Sequence, residues 1–295
     1  TPYFSHPDPS VKRKSGFLPP SIKNYTNLGR SFKAPYFLEI ASNKDFTITP
    51  IYYAEENPLF LGEYRQKNKN SEYYIDTSYS QGYKKLNKKD AGGNTIQRTA
   101  GSRNHFFFKF LGSYDDLLFS SNDLEMNIQK ISQKNYLKVH QINTNNIKQD
   151  ISALQNDIIL RSYEDSKQLT LEGYVYENLN EENHSKKYQY TLPTITFNNF
   201  LRKFNQAISF NNSVSAKNLG ENINQTHQIN QMNTTSELKK INTIQGLGTV
   251  FKTSFNNFNT YNQNVEGAKE NMNNDIYVTL AIENSYPLIK YNDKT

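Results

Sequence analysis

The residues that could carry chemistry are few and widely spaced along the chain. His6 and Asp8 lie in the proline-rich stretch His6-Pro7-Asp8-Pro9 and offer only two metal-binding side chains, fewer than a closed metal site requires. The other histidines lack metal-ligand spacing; they are His105, His140, His184 and His227. Cysteine is absent, which excludes thiol catalysis and cysteine-ligated zinc. We therefore expect neither a metal site nor a cofactor.

Paired acids and glycines do not indicate an enzyme either. Asp115-Asp116 and Glu181-Glu182 fall in predicted turns, where solvated charge is the ordinary state of a carboxylate. The segment Gly246-Leu247-Gly248 lacks the third glycine and the βαβ context of a nucleotide-binding loop. No residue pattern resembles a nucleophile with its base. We expect no catalytic residues, and we expect that the protein is not an enzyme.

Two prolines indicate a weak place in the predicted sheet. Pro35 and Pro50 lie inside neighbouring predicted strands. Proline has no N–H to donate to a β-ladder, so it belongs on sheet edges or at bulges. In a sheet surrounded by lipid every backbone group needs a partner, so two such prolines are costly unless that edge is meant to open. The alternative is that each proline marks a strand end or a bulge.

Composition favours strands with two different faces. Hydrophobic residues make up 35% of the 295 residues, yet aromatic residues reach 13%, whereas disordered chains are poor in aromatics. No apolar run is long enough for a transmembrane helix. Strands with one face toward lipid need only every second residue to be apolar. The net charge of +6 is spread along the chain, which argues against a nucleic-acid partner and is compatible with an anionic lipid head group.

Alternation of apolar and polar residues places the elements. Residues 1–30 are predicted to be loop-like, because prolines recur there up to Pro19-Pro20. A polar loop is predicted over 81–103, a short helix is one option within 133–152, and 204–258 is either lumen-lining strands or long loops. The predicted strands, which form an antiparallel meander, are Ser31–Ile40, Phe46–Tyr53, Leu59–Arg65, Glu72–Tyr79, Asn104–Ser113, Asp123–Ile131, Leu154–Tyr163, Gln168–Glu177, Tyr188–Phe197 and Asp275–Ile282.

The first part of the chain resembles a known family. Thr1–Ser21 is similar to the junction between the periplasmic jelly roll and the barrel in the lipopolysaccharide-assembly LptD (organic-solvent-tolerance) family. Ala34–Ile40 looks like the LPYYWNI stretch of that family, and Asp45–Tyr52 looks like its DATLTPRY stretch. Leu61–Arg65 resembles the third strand, and the order and spacing of all four segments agree. The resemblance is specific over residues 1–66 and becomes faint after Phe200.

This resemblance implies an all-β fold of antiparallel transmembrane β-barrel strands, preceded by the tail of a periplasmic jelly roll. Residues 1–30 would be the end of the jelly roll and the linker, and 31–295 the N-terminal part of an incomplete barrel. The junction residues would be His6, Pro7, Asp8, Pro9, Gly16 and Phe17. Departures exist, because Leu38 stands where the family has Trp, and the disulfides of some members cannot form in this chain.

The implied function is insertion of lipopolysaccharide into the outer leaflet of the bacterial outer membrane through a lateral gate at Pro35 and Pro50. The implied partners are lipopolysaccharide, an LptE-type lipoprotein plug, a periplasmic LptA-type bridge and the barrel-assembly machinery. The chain is expected to be a piece of the whole transporter. Two alternatives stay open: another outer-membrane barrel, such as a porin or nutrient receptor, and a soluble secreted β-rich adhesin or binding module.

Overall fold

The computed structural model describes residues 13–25, 28–84, 86–89, 93, 95–97, 100–144, 148–182, 187–202, 209–222, 225–241, 248–263 and 272–286. In these ranges the chain forms eighteen β-strands and one short helix, and neighbouring strands pair in antiparallel fashion. The predicted all-β fold class is confirmed. Closure into a barrel and a jelly-roll tail stay predictions.

The elements follow one another along the chain, with most strands long and the helix short. The strands are β1 Gly16–Phe17, β2 Ser21–Tyr25, β3 Gly29–Lys33, β4 Tyr36–Ala41, β5 Lys44–Tyr53, β6 Leu59–Lys67, β7 Ser71–Ser80, β8 Asn87–Lys89, β9 Thr95–Gln97, β10 Arg103–Asp115, β11 Ser121–Ile131, β12 Ala153–Glu164, β13 Lys167–Asn178, β14 Tyr188–Arg202, β15 Ser209–Asn222, β16 Gln225–Ile241, β17 Gly248–Gln263 and β18 Met272–Ser285; the helix α1, Tyr136–His140, lies between β11 and β12.

The chain divides into two compact units. The first comprises Thr1–Gly112 with Met126–Asn156, and the second comprises Ser113–Glu125 with Asp157–Thr295, so β10, β11 and β12 contribute residues to both. In the first unit β4 pairs with β1 and β5, and β6 and β7 continue the sheet to β10. In the second unit the strands from β13 to β18 pair consecutively as a meander.

Strand β5 shows how the two faces of the first unit differ. Ile48 and Tyr52 are exposed, whereas Asp45 and Thr49 on the alternate face are buried. A soluble sheet shows the opposite arrangement, with its apolar face toward the core. The same inversion recurs on β7 and β10, where Tyr79 and Phe106 are exposed and the buried residues include Asp76, Ser78 and His105. Such strands expose apolar side chains on one face and bury polar ones on the other, as membrane barrel strands do.

The face of the first unit that buries Asp45, Thr49 and Ser78 is called the inner face, and the opposite face the outer face. An apolar core nevertheless covers one end of the inner face. Helix α1 packs there, with Tyr136 and Leu137 buried at 2% exposure each. The helix ends at His140, its C-cap residue Gln141 adopts the left-handed conformation with φ of 50°, and the chain continues into the buried Ile142. The strand residues buried at the same end are Ile51, Tyr53, Leu59 and Phe107, with Tyr25 and Leu28 beside them.

Four sequence expectations are corrected or decided by the structure. The expectation that residues 1–30 are loop-like is wrong for the described part of that range, because β1, β2 and the start of β3 form ladders there. The predicted strand over 31–40 is interrupted and becomes β3 and β4. Part of the polar segment 81–103 forms the hairpin of β8 and β9. In the described part of 204–258 the chain forms strands, namely β15, β16 and β17, whereas a lumen-lining role for them stays a prediction.

The ambiguous stretch 133–152, for which a short helix was one option, contains the helix α1. The expected domain boundary at residue 30 stays a prediction. It falls inside the hairpin of β2 and β3, whose register pairs Ser21 with Lys33 and Tyr25 with Gly29.

Candidate functional site: a proline-interrupted sheet edge

Pro35 and Pro50 lie next to each other on neighbouring strands. β3 pairs Lys33 with Ile51, and β4 pairs Tyr36 with Ile48. The two pairings belong to one continuous register, which places Ala34 opposite Pro50 and Pro35 opposite Thr49. β3 and β4 are therefore one strand whose ladder to β5 is interrupted where the prolines meet. The predicted apolar face survives the break, because Phe32, Leu38 and Ile40 are all exposed.

Pro50 removes a hydrogen bond on the β5 side of the interruption. The backbone N–H of Ala34 donates to the Pro50 carbonyl, with a nitrogen–oxygen distance of 3.2 Å. A hydrogen-bonded antiparallel pair normally exchanges two such bonds. Pro50 has no N–H to return, so this pair keeps one bond of the two.

Pro35 removes a hydrogen bond on the opposite side of the same strand. The backbone N–H of Leu18 donates to the Pro35 carbonyl at 2.9 Å, continuing the register in which Gly16 pairs with Phe37 and Phe17 with Tyr36. Pro35 has no N–H to donate back. The strand is thus weakened toward β1 by one proline and toward β5 by the other.

A third strand is irregular at the same level. β1 pairs Phe17 with Tyr36, whereas β2 pairs Ser21 with Lys33. The register shifts by one residue between these pairs, and Pro19-Pro20 fill the shift. A band of incomplete backbone pairing therefore crosses three neighbouring strands. Because lost ladder bonds make local separation of strands less costly, this band is the candidate hinge or opening of the sheet.

The other predicted site residues lie around this edge or outside the described residues. Gly16 and Phe17 form β1, and the Phe17 ring contacts the Tyr36 ring edge-on with centroids 5.0 Å apart. Pro35 is buried on the inner face and Pro50 is half-buried on the outer face. His6, Pro7, Asp8 and Pro9 lie outside the described residues, so their role at a junction stays a prediction.

An ion-pair cluster occupies the other end of the same strands. The Asp45 side chain is 4% exposed and accepts from two guanidinium groups, Arg13 Nη1 at 3.0 Å and Arg65 Nε at 2.9 Å. Glu63 Oε1 lies 3.4 Å from Arg65 Nε. Charge-assisted bonds of this kind are stronger than neutral ones. Arg13 lies just before β1, and β4 lies between β1 and β5 in the sheet. The Arg13–Asp45 ion pair therefore connects this segment to β5 across β4.

The structure also assembles a polar cluster that sequence reasoning missed. Asp76 Oδ1 lies 2.7 Å from His105 Nε2, and Ser78 Oγ lies 2.6 Å from His105 Nδ1. The Tyr136 hydroxyl of α1 is 2.6 Å from Ser78 Oγ. Asp76 and Ser78 are two residues apart, which puts them on one face of β7. The sequence could therefore have predicted that these two side chains lie together. Their pairing with His105 depended on the β7–β10 register across a long connection, which the sequence does not display.

The donors and acceptors of this cluster match along a row of four side chains: Asp76, His105, Ser78 and Tyr136. One arrangement that satisfies every group has Asp76 accepting from Nε2–H of His105, Nδ1 accepting from the Ser78 hydroxyl, and Ser78 accepting from the Tyr136 hydroxyl. His105 and Ser78 are 1% and 4% exposed. Although the residue types are those of a hydrolytic triad, the Ser78 hydroxyl is buried and bonded on both sides. The row therefore fastens α1 to the inner face of the sheet.

His140 makes the second polar contact of α1. Its Nδ1 lies 3.2 Å from the Tyr53 hydroxyl, and its ring lies edge-on to the Tyr136 ring. Burial, aided by the positive charge of Arg103, lowers the pKa of His140 to about 4. The histidine thus sits neutral at physiological pH.

Other sequence candidates remain apart. Asp115 is the last residue of β10, not part of a turn as predicted, and Asp116 begins the turn that follows; both are exposed, in line with the expected solvated charge. Among the described residues no group of three or more histidines or acids is arranged to hold a metal ion. In the same part of the chain, none of the helical structure has the length and apolar character needed to span a membrane.

The known proteins that are similar to this chain carry the same name. No protein-family model matches the chain. The LPS-assembly protein LptD of Pseudomonas fluorescens is 28% identical over 211 residues, which cover 71% of this chain and 21% of the relative. The LptD of Psychrobacter cryohalolentis is 29% identical over 46% of the chain and 14% of its own length. The LptD of Idiomarina loihiensis is 42% identical over 22% of the chain and 8% of its own length.

These matches agree with the resemblance in the first strands and with the all-β structure. The chain spans about a fifth, or less, of the length of these curated relatives. The resemblance to the LptD family is therefore confirmed: the chain is LptD-like, and it is similar to one part of those longer proteins.

Proposed function

We propose that this chain is part of an outer-membrane protein that inserts lipopolysaccharide into the outer leaflet, and that the proline-interrupted edge of β1, β4 and β5 is its lateral gate. The relatives are named LPS-assembly proteins. The exposed apolar and buried polar faces of the strands fit a sheet whose outer surface meets lipid. The protein acts by binding and passage, not as an enzyme, and it needs no cofactor.

The gate proposal depends on one observation: the strand formed by β3 and β4 lacks one ladder bond toward β1, at Pro35, and one toward β5, at Pro50. An unpaired backbone group is costly in lipid, so missing bonds in neighbouring strands fit a sheet that opens at this place. Separation of the strands at this line would give an amphipathic molecule a path between the interior and the bilayer. The sugar and phosphate groups would pass along the polar inner face while the acyl chains enter lipid.

The proposed partners follow from this role. Lipopolysaccharide is the transported molecule, and a periplasmic LptA-type bridge delivers it. An LptE-type lipoprotein fills the barrel interior, and the barrel-assembly machinery inserts the strands into the membrane. The names of the relatives support the lipopolysaccharide step, and the other partners are inferred from the family resemblance alone.

The test replaces both prolines in the full-length polypeptide that carries this sequence. Pro35→Ala and Pro50→Ala return N–H groups toward Leu18 and Ala34. Two restored bonds of about 1 kcal/mol each would lower the open population roughly thirtyfold. Lipopolysaccharide delivered to the cell surface, measured by pulse labelling, should fall accordingly.

The matched control is Pro58→Ala, because Pro58 lies in the turn before β6 and outside the β5–β6 ladder. Surface delivery should be normal in this control. Normal delivery in the double variant, at equal protein level in the membrane, would remove the gate role. Extraction of the protein without detergent would instead favour the soluble β-rich alternative, and passive solute flux without lipopolysaccharide export would favour a porin.

A further inference from the structure

We propose that Asp45 is the hub of an ion-pair latch that keeps the proline-interrupted edge closed. The latch consists of Arg13, Asp45 and Arg65. This inference rests on the proposed opening of the edge and adds the group that opposes it. It assigns to Asp45 a positioning role, since the side chain acts on the strands and not on the transported molecule.

The geometry of the latch crosses the weak strand. In the sheet β4 lies between β1 and β5, and Arg13 stands just before β1. Its guanidinium reaches over β4 to Asp45 Oδ2 at 3.0 Å, while Asp45 Oδ1 accepts from Arg65 of β6 at 2.9 Å. One carboxylate therefore ties the segment before β1 to both β5 and β6. Backbone pairing cannot make this connection, because β1 and β5 are not neighbours.

A second contact fastens the same segment to β4. The backbone N–H of Glu39 donates to Ser15 Oγ at 2.8 Å. Asp45 lies opposite Glu39 in the β4–β5 register, so this contact and the ion pairs lie at one end of the strands. The proline interruption lies four to five residues farther along β5, roughly 15 Å away at the usual rise of a strand. Side chains thus close one end of the strands while prolines weaken the middle.

Burial and charge make Asp45 the element on which the latch depends. Its side chain is 4% exposed, whereas those of Arg13 and Arg65 are 62% and 45% exposed. A buried carboxylate requires partners, and removal of its charge would leave two guanidinium groups facing each other. The exposed arginines remain accessible to water and salt, so the latch can be broken without unfolding the sheet.

The cavity beside the latch is a poor site for an anionic ligand. Its volume is about 260 Å³, and its lining includes the cations Arg13, Arg65, Lys67 and Lys109. The guanidinium groups of Arg13 and Arg65 already bond Asp45, and Lys67 is paired with Glu72. With the Glu63 carboxylate also beside Arg65, opposite charges offset these cations. Mutual pairing across strands is therefore favoured over recognition of a phosphate.

The experiment measures hydrogen–deuterium exchange in the full-length protein without lipopolysaccharide present. Asp45→Asn should accelerate exchange of the amides in 15–18 and 36–41 by roughly tenfold or more, as expected for the loss of hydrogen bonds to a charged group. Arg13→Gln, which changes an exposed residue and leaves the Asp45–Arg65 pair intact, should accelerate the same amides to a smaller degree. Glu72→Gln, which breaks the exposed Lys67–Glu72 pair, is the control and should leave them unchanged.

Salt and a double-mutant cycle separate the latch from general destabilisation. Raising salt screens exposed charges, so it should accelerate exchange in the natural protein and have little further effect in Asp45→Asn. When Pro35→Ala and Pro50→Ala are also present, Asp45→Asn should accelerate amide exchange less, because a repaired ladder no longer depends on the latch. Exchange unchanged by both Asp45→Asn and Arg13→Gln, or an Asp45→Asn effect that is equal with and without the prolines, would overturn the proposal.

The readout is independent of lipopolysaccharide export. If Asp45→Asn loosens the edge while the proline double variant exports normally, the latch holds and the proposed gate function fails. If the proline variant blocks export while neither Asp45→Asn nor Arg13→Gln changes exchange, the gate function holds and the latch fails.

Discussion

At the residue scale, two histidines on the inner face of the first unit illustrate how burial decides their roles. His105 bonds Asp76 and Ser78 within the sheet. His140 belongs to α1 and contacts Tyr53, with Tyr136 and the charge of Arg103 nearby. Its protonation therefore bears on whether α1 stays docked.

Docking of α1 should weaken as the pH falls. The pKa of docked His140 is about 4, and the undocked side chain should titrate near the ordinary value of about 6.5. Between these values the undocked state binds a proton that the docked state does not, so docking is fully favoured above about pH 6.5 and loses roughly 3 kcal/mol toward pH 4. Exchange of the 136–142 amides, corrected for the intrinsic effect of pH, should rise over this window.

His140→Gln provides the comparison for this experiment, because glutamine does not titrate. The variant should show the same corrected exchange at pH 7 and pH 5. An equal acid-induced rise in the variant and in the natural protein would assign the effect to another group.

At the element scale, the turn between β10 and β11 depends on one side chain. Asn122 is fully buried. Its Nδ2 donates to the carbonyls of Tyr114 and Phe119 at 3.0 and 2.7 Å, and its Oδ1 accepts from the backbone N–H of Leu118 and Phe119 and from the Ser162 hydroxyl. The side chain thus replaces backbone pairing that the turn cannot provide.

Asn122→Ala should accordingly destabilise the second unit by about 2–4 kcal/mol, because it leaves several buried backbone groups unpaired. Urea unfolding followed by circular dichroism measures the effect. Asn178→Ala is the matched control, since exposed Asn178 accepts one bond, from the N–H of Asn180, and its loss should cost less than about 1 kcal/mol. Equal midpoints for the two variants would contradict the role of Asn122.

At the scale of the whole molecule, the proposed membrane location predicts opposite tolerance on the two faces of β5. Ile48 is exposed on the apolar face, whereas Thr47 on the other face lines a cavity of about 270 Å³ together with Glu63 and Asp76. Ile48→Arg should cost about 2–4 kcal/mol if this position lies near the bilayer midplane. Thr47→Arg should cost much less, because acidic groups and space surround it.

Equilibrium urea unfolding of the full-length protein in phospholipid vesicles measures both variants. Equal tolerance of arginine at positions 47 and 48 would contradict a lipid-facing outer surface. It would favour the soluble alternative, in which the exposed face meets water.

Much of the fold was determined by the sequence alone. Alternation with a period of two defined strands such as β5 and β6, because side chains on a strand point to opposite faces whatever the strand pairs with. The short helix was foreseen only as an option, and the sheet-forming residues 16–25 were missed because prolines outweighed the short strands between them. A ladder tolerates such prolines at a register shift, which is a property of the pairing and not of the local sequence.

The candidate site divides in the same way. Pro35 and Pro50 were found from sequence, since the missing N–H is a property of the residue itself. Only the tertiary structure decided three further features. The two prolines interrupt opposite sides of one strand, Arg13 and Arg65 share Asp45, and His105 bonds Asp76 and Ser78. Each depends on the register between strands, which is set by the packing of whole faces and by the connections between strands. No local pattern in the sequence records it.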